Sequence, residues 1–287
     1  MHLCIVILQI LLKHIKMKKV ILITGASSGM GKETAKKLIK EGHTVYTVAR
    51  RIGQMQDLKL LGGLPIRMDI TNEAEIQHVV DTIIQEEGRI DVLWNNAGYG
   101  IYGSVEDIPL QEALKQFDVN LFGLASITQK VIPYMRKAQS GTIINTSSMG
   151  GKMYFPLGAW YHASKHALEG FSDCLRLELK PFNINVVVLE PGLIATEFGD
   201  TVLGGLDKIS KQSPYSDMMN KFVAGSRKTY ETNNLSQPTV VSNTVSMIVN
   251  SKKPKTRYRF GKLAKPLVWM RIFLGDRLFD KIITSQM

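Results

Sequence analysis

Cysteine is nearly absent from the chain: two occur in 287 residues, Cys4 and Cys174. So small a supply excludes a disulfide framework, and no cysteine pair stands at the short spacing of a zinc site. The six histidines lie at positions 2, 14, 43, 78, 162 and 166; only His162 and His166 share i,i+4 spacing, and no HExxH glutamate accompanies them. Metal-free chemistry is expected. Long apolar runs are lacking too, since the N-terminal stretch MHLCIVILQILLKHIK at residues 1–16 is too short to span a bilayer. Its basic residues follow the apolar run, the reverse of a secretory signal, and no small-residue cleavage site follows. The natural start is therefore expected at Met17, with residues 1–16 outside the fold and the protein cytoplasmic. A peripheral anchor is the second reading.

What is there suits a globular enzyme. With 44% apolar and 21% charged residues the chain can bury one large core, so residues 17–287 are read as a single domain. Net charge is +11, concentrated in Lys252–Met287, where ten Lys/Arg face two Asp. No zinc finger, helix-turn-helix or RNA-binding pattern accompanies this basic segment, so nucleic acid is not an expected partner.

From Val20 onward short β-branched runs alternate with helical patterns, which predicts an α/β fold: a doubly wound, Rossmann-type parallel sheet of about seven strands with helices on both faces. Strands are expected at 20–24, 44–49, 64–68, 91–95, 141–147, 184–190 and 256–260. The runs Val20–Ile23 and Val186–Leu189 are continuously apolar, as strands covered on both faces should be. Residues 193–235 mix Gly, Ser, Asn and Pro with Leu203, Leu206, Met218, Met219 and Phe222, and read as an irregular substrate lid. Residues 262–287 form a basic C-terminal segment in which Leu267, Trp269, Ile272 and Phe273 are interspersed; packing over the substrate site is expected, with a membrane surface as the other reading.

The first strand runs into Thr24-Gly25-Ala26-Ser27-Ser28-Gly29-Met30-Gly31, and a helix follows. Glycines at such a turn let a ligand approach the backbone, and the helix N-terminus presents free N–H groups to phosphate. A dinucleotide pyrophosphate fits there, on Gly25, Ser27, Ser28, Gly29, Met30 and Gly31. The second strand ends at Ala49-Arg50-Arg51, where NAD sites carry an acid for the ribose 2′-hydroxyl. Arginine suits a 2′-phosphate instead, so NADP(H) is expected over NAD(H), with Arg50 as its ligand and Arg51 the better candidate for mere solvation.

Thr24-Gly25-x-x-x-Gly29-x-Gly31, Asn95-Asn96-Ala97-Gly98 and Tyr161-x-x-x-Lys165, in this order, closely resemble the three motifs of the short-chain dehydrogenase/reductase family. The resemblance covers residues 18 to about 198 and implies hydride transfer between the nicotinamide and a carbonyl or secondary alcohol. Tyr161 would be the proton donor. A free phenol has a pKa of about 10, and Lys165, one turn on, would lower it and reach the nicotinamide ribose. The family's serine, 13 residues before the tyrosine, falls on Ser148, which would hydrogen-bond the substrate oxygen, while Ser147 would point away. Its fourth residue falls on Asn120, a poor mid-helix residue that would hold a water linking Lys165 to solvent. The resemblance also implies adenine contacts from Asp69 and Ile70, adenosine-ribose contacts from Asn95 and Ala97, with Gly98 beside them, and a nicotinamide seat on Pro191, Gly192, Ile194 and Thr196.

Tyr154, Phe155, Trp160 and Phe198 flank the catalytic set and point to a bulky, mostly apolar carbonyl or alcohol that is steroid-, retinoid- or lipid-like. The pattern is most similar to the branch of steroid and retinol dehydrogenases and their bacterial relatives. Helices 110–136 and 158–181 resemble those through which family members form homodimers or homotetramers. A non-catalytic NADP(H)-binding sensor with the same fold is the alternative.

Overall fold

The computed structural model describes residues 18–209, 213–231 and 235–285, so the expectation for residues 1–16 falls outside it. Seven strands run β1 Val20–Thr24, β2 Thr44–Ala49, β3 Leu64–Arg67, β4 Val92–Asn95, β5 Gly141–Thr146, β6 Ile184–Pro191 and β7 Arg257–Phe260. All pair in parallel, in the order β3-β2-β1-β4-β5-β6-β7. The Rossmann-type expectation holds. The chain order reverses between β1 and β4, and that is where a crevice opens beyond the strands' carboxyl ends.

The continuous apolar runs are explained by strand alternation between two cores. Val20 and Leu22 face one core with α3 (Glu73–Glu87), α5 (Leu124–Lys137) and α6 (Ala159–Leu179). Ile21 and Ile23 face the other, with α1 (Gly29–Lys40) and α9 (Pro238–Asn250). Each helix supplies apolar residues at three- and four-residue spacing, such as Ile76, Val79, Val80 and Ile83 on α3. β3 is an edge strand, which accommodates Pro65. A short α2 (Gln56–Leu60) precedes it.

Two expectations need correction. The helix expected at 110–136 is interrupted: α4 (Leu110–Phe117) passes through a π-helical turn, Asp118–Gly123, into α5. Asn120 sits in that turn with its amide bonded to the Tyr99 backbone, and Gly123 presses so close to Ile70 that a Cβ would lie 2.3 Å from its carbonyl oxygen. The segment 193–235 is largely helical rather than irregular. It folds as α7 (Glu197–Ile209) and α8 (Ser216–Glu231), because Val202, Leu203, Leu206, Met219 and Val223 share buried faces despite the glycines and serines between them. The last helix, α10 (Ala264–Ser285), bends at Gly275, whose φ is 68° and ψ 178°.

Candidate active site

β1 and β4 are tied together where they enter the crevice. The buried Thr24 Oγ1 accepts from the backbone N of Asn96 and of Ala97, both at 3.0 Å, and Asn96 Nδ2 donates to the carbonyl oxygens of Thr24 and Gly25 at 3.0 and 3.1 Å. Gly25, with φ 67°, lies against this link; a Cβ there would meet Ala97 Cα at 2.7 Å. A Cβ on Gly31 would lie 2.4 Å from Gly25 O. Ser28 caps α1 without a side-chain hydrogen bond and no acid occupies the first turn, so the helix N-terminus keeps its N–H groups and its dipole for an anion. These residues fit a dinucleotide phosphate.

The two neighbouring asparagines divide the work differently from expectation. Asn95 does not turn its side chain to the crevice: its Nδ2 donates to Thr128 Oγ1 (3.0 Å) and Asn145 Oδ1 (2.9 Å), inside a polar network that continues from Asn145 Nδ2 to Ser172. Strand alternation puts Asn95 on the α5/α6 face and leaves Asn96 at the glycine turn.

Of the two arginines, Arg51 departs from the reading. Arg50 is exposed past β2; its charge reaches Asp69, whose carboxyl burial pushes up but which two Thr71 hydrogen bonds, with Arg50 and Arg67, hold below the usual value. Arg51 is not merely solvated. Its Nη2 donates to Ser27 Oγ (3.3 Å) and Ser28 Oγ (3.1 Å), which sets the guanidinium on the rim of the glycine turn. Ile70 is buried beside the π turn.

Tyr161 and Lys165 stand one turn apart on α6, both buried. Lys165 Nζ donates to Thr146 O at 2.8 Å and lies 6.0 Å from the centroid of the Tyr161 ring. Burial pulls its pKa down to about 8, against the opposing charge of Glu169, so the ammonium persists at neutral pH. Burial pushes the Tyr161 phenol up to about 12, opposed by a hydrogen bond with Ser148. In the phenol's environment burial outweighs every lowering influence, with the Lys165 ammonium 6.0 Å from the ring centroid.

Ser148 opens a short turn, Met149–Gly151, in extended backbone geometry, while Ser147 is buried beneath Gly151. Asn120 accepts from Tyr99 N (3.0 Å) and donates to Tyr99 O (2.9 Å) and Ser164 Oγ (3.1 Å). A Cβ on Gly98 would lie 3.0 Å from Asn120 Oδ1 and 3.6 Å from Lys165 Nζ, so glycine keeps that corner open. His162 locks the turn to α6: Nδ1 meets Gly150 O at 2.9 Å and Nε2 accepts from Phe155 N at 3.0 Å. Burial drives its pKa down to about 4, so the ring is neutral, donating through Nδ1.

The segment after β6 reaches the same crevice. Gly192 is wedged under Lys262, where a Cβ would lie 2.0 Å from the carbonyl oxygen; Ile194 bridges to Ser236, and a Cβ on Gly29 would meet the Thr196 methyl at 3.4 Å. Pro191 closes β6. Three of the four flanking aromatics, Tyr154, Phe155 and Phe198, separate between two apolar clusters. Phe198 stacks 5.5 Å from the Tyr161 ring, on the wall formed by Tyr102, Leu157, Val202, Leu203, Leu206, Met219 and Val223. Tyr154 and Phe155 pack in a separate cluster, where Met149 and Met153 meet Leu267, Val268 and Phe279 of α10. Tyr154 donates to Asp280 at 2.8 Å, so α10 packs against the segment that follows the Ser148 turn.

A parallel sheet with a glycine turn at its switch point, and a Tyr-Lys pair with a serine beyond the central strands, define a dinucleotide-linked oxidoreductase. Comparison with known proteins agrees. The pattern of the family described as short chain dehydrogenase matches residues 19–204. A 3-ketodihydrosphingosine reductase of Bacteroides thetaiotaomicron is 39% identical over 254 residues, 87% of this chain and 90% of that protein. A probable short-chain type dehydrogenase/reductase of Helicobacter pylori is 34% identical, over 91% of this chain and 94% of its own. Among solved structures, the closed form of serine dehydrogenase complexed with NADP+ has TM-score 0.75 at 27% identity, covering 86% of this chain and 96% of that one. The chain belongs to the short-chain dehydrogenase/reductase family. It is an oxidoreductase that uses a nicotinamide cofactor and a small-molecule substrate.

Proposed function

We propose that the protein is an NADP(H)-dependent reductase that converts a ketone on a bulky, lipid-like chain into a secondary alcohol. The observation that carries this reading is the placement of Tyr161 between Ser148 and an apolar wall contributed by the lid helices α7 and α8. The name of the Bacteroides relative, a 3-ketodihydrosphingosine reductase, supports a long-chain 3-ketone as the substrate class.

Gly25, Ser27, Ser28, Gly29, Met30 and Gly31 would hold the pyrophosphate, and Ala97 with Asp69 and Ile70 the adenosine. Arg50 and Arg51 together would bind the 2′-phosphate, which favours NADP(H). Pro191, Gly192, Ile194 and Thr196 would seat the nicotinamide, which supplies the hydride when bound. Ser148 donates to the substrate carbonyl oxygen and polarises it. Tyr161 passes its phenolic proton to the same oxygen, a transfer suited to a phenol that burial keeps protonated. Lys165 keeps positive charge beneath that centre, and Asn120 would hold the water through which protons return, in the corner that Gly98 keeps open. Phe198 and the lid side chains bury the alkyl portion of the substrate, while Tyr154 and Phe155 close the other wall.

Exposed Leu110, Leu114, Phe122 and Leu177 on α4, the π turn and α6 support a homodimer or homotetramer built on those helices. A cytoplasmic setting accords with a reductive role for NADPH.

The test follows NADPH absorbance with 3-ketodihydrosphingosine, steroid, retinoid and short aliphatic carbonyls. Turnover on the long-chain ketone that is lost in Tyr161→Phe supports the reading; NADPH binding without turnover of any carbonyl would refute it.

A further inference from the structure

The C-terminal helix α10 has two apolar faces, and only one is covered by the described residues. Leu267, Val268, Phe279 and Ile283 are buried against Met149, Met153, Tyr154 and Phe155. On the other side Trp269 is 58% exposed, Ile272 60% and Phe273 74%, and the Trp269 and Phe273 rings contact each other at 5.9 Å between centroids. These three sit at i, i+3 and i+4, so they form a compact ridge. Lys265 precedes Trp269 by one turn on the same face, and Arg277 and Lys281 are exposed beyond the bend at Gly275.

Charge decides what covers this ridge. Asp276 pairs with Arg271 at 2.5 Å, and Lys265, Arg277 and Lys281 outnumber the one remaining carboxylate of α10, Asp280, which accepts from Tyr154. The helix therefore offers aromatic and aliphatic tips flanked by cations. A second copy docked antiparallel through a two-fold at the ridge would set Lys265 of each copy toward the Arg277 and Lys281 end of the other, like charge against like. An anionic bilayer surface complements both features: indole and phenyl rings settle at headgroup depth and lysine and arginine meet phosphate. No helix among the described residues is long and apolar enough to cross a membrane, so the contact is one of lying on the surface.

We infer that the outer face of α10 is a docking surface for anionic lipid membranes. The inner face of the same helix braces the turn that carries Ser148, so docking brings one wall of the site to the lipid surface. This inference goes beyond the proposed reaction and holds whatever carbonyl is reduced.

The experiment is co-sedimentation of the full-length protein with vesicles of phosphatidylcholine alone and of phosphatidylcholine mixed with phosphatidylglycerol, alongside a Trp269→Ser/Ile272→Ser/Phe273→Ser variant. All three side chains are exposed, so the variant should keep its melting temperature and its NADPH binding. The wild type is expected to bind the anionic vesicles about tenfold more strongly than the neutral ones, to be weakened by salt, and to lose about tenfold in the variant. Wild-type protein that stays in the supernatant overturns the inference. So does binding that survives the triple substitution, which would place the contact elsewhere in the chain. A variant that changes only the sedimentation state, without changing vesicle binding, would give the ridge to a second copy and overturn it as well.

Discussion

Lys165 Nζ donates to the carbonyl oxygen of Thr146 at 2.8 Å, which anchors a buried ammonium to the end of β5. A lysine whose pKa falls to about 8 on folding is a liability to the fold: the unfolded chain binds the proton more tightly, at about 10.5. The cost is full below pH 8 and disappears as pH rises toward 10.5.

Lys165→Met should therefore be inactive yet more stable than the wild type at pH 7, by about 1–3 kcal/mol after the lost hydrogen bond is counted. The gap should shrink between pH 8 and 10.5. Denaturant melts across that range test it, and a variant less stable at every pH would refute it.

The reductive reaction should lose rate as pH rises through about 8, where Lys165 gives up its charge, well before the phenol ionises near 12. Tyr161→Phe and Ser148→Ala should each lower kcat by about a hundredfold or more with little effect on NADPH binding. A pH profile of kcat/KM that stays flat to pH 10 would argue against Lys165 as the group observed.

How much of this was legible in the sequence differs from residue to residue. The apolar runs of β1 and β6 could be read because strands covered on both faces leave no polar positions. Tyr161 and Lys165 were visible because the three family motifs stand in order, and their four-residue spacing then puts the pair on one helix face. Asn95 and Asn96 were not separable: one faces Thr128 and the other the glycine turn, and which is which depends on the packing of α5. The π turn around Asn120 was invisible, since its cause is a partner, Tyr99, distant in sequence. The lid helices were hidden by Gly204, Gly205 and neighbouring polar residues, whose poor propensity is overridden by burial of Leu206 and Met219.

Arg51 was undervalued for the same reason, because its contact with Ser27 and Ser28 depends on the β1 turn coming alongside β2. Arg51→Ala should weaken NADPH binding about ten- to a hundredfold and leave NADH nearly unchanged, the size of a lost charge-assisted contact. Arg50→Ala should do the same. Fluorescence titration with both cofactors checks this, and equal losses for NADH and NADPH would contradict it.

His162 makes a prediction at acid pH. Folded, it accepts a proton only near pH 4; unfolded, near 6.5. Stability should therefore fall as pH drops through that window, by up to about 3 kcal/mol. His162→Asn should be less stable at pH 7, having lost the bonds to Gly150 and Phe155, and the difference should narrow toward pH 4. Parallel melts at pH 7 and pH 4.5 measure it.

The two walls proposed for the substrate belong to separate apolar clusters, one of α7 and α8 around Leu206 and one of α10 around Phe279. Such a division makes the site modular. Selection, or a protein engineer, can rewrite residues 197–231 to admit a new substrate while the opposite wall and the Ser148 turn stay intact. Chimeras that exchange this segment with a relative are a direct route to altered specificity on an unchanged chemical core.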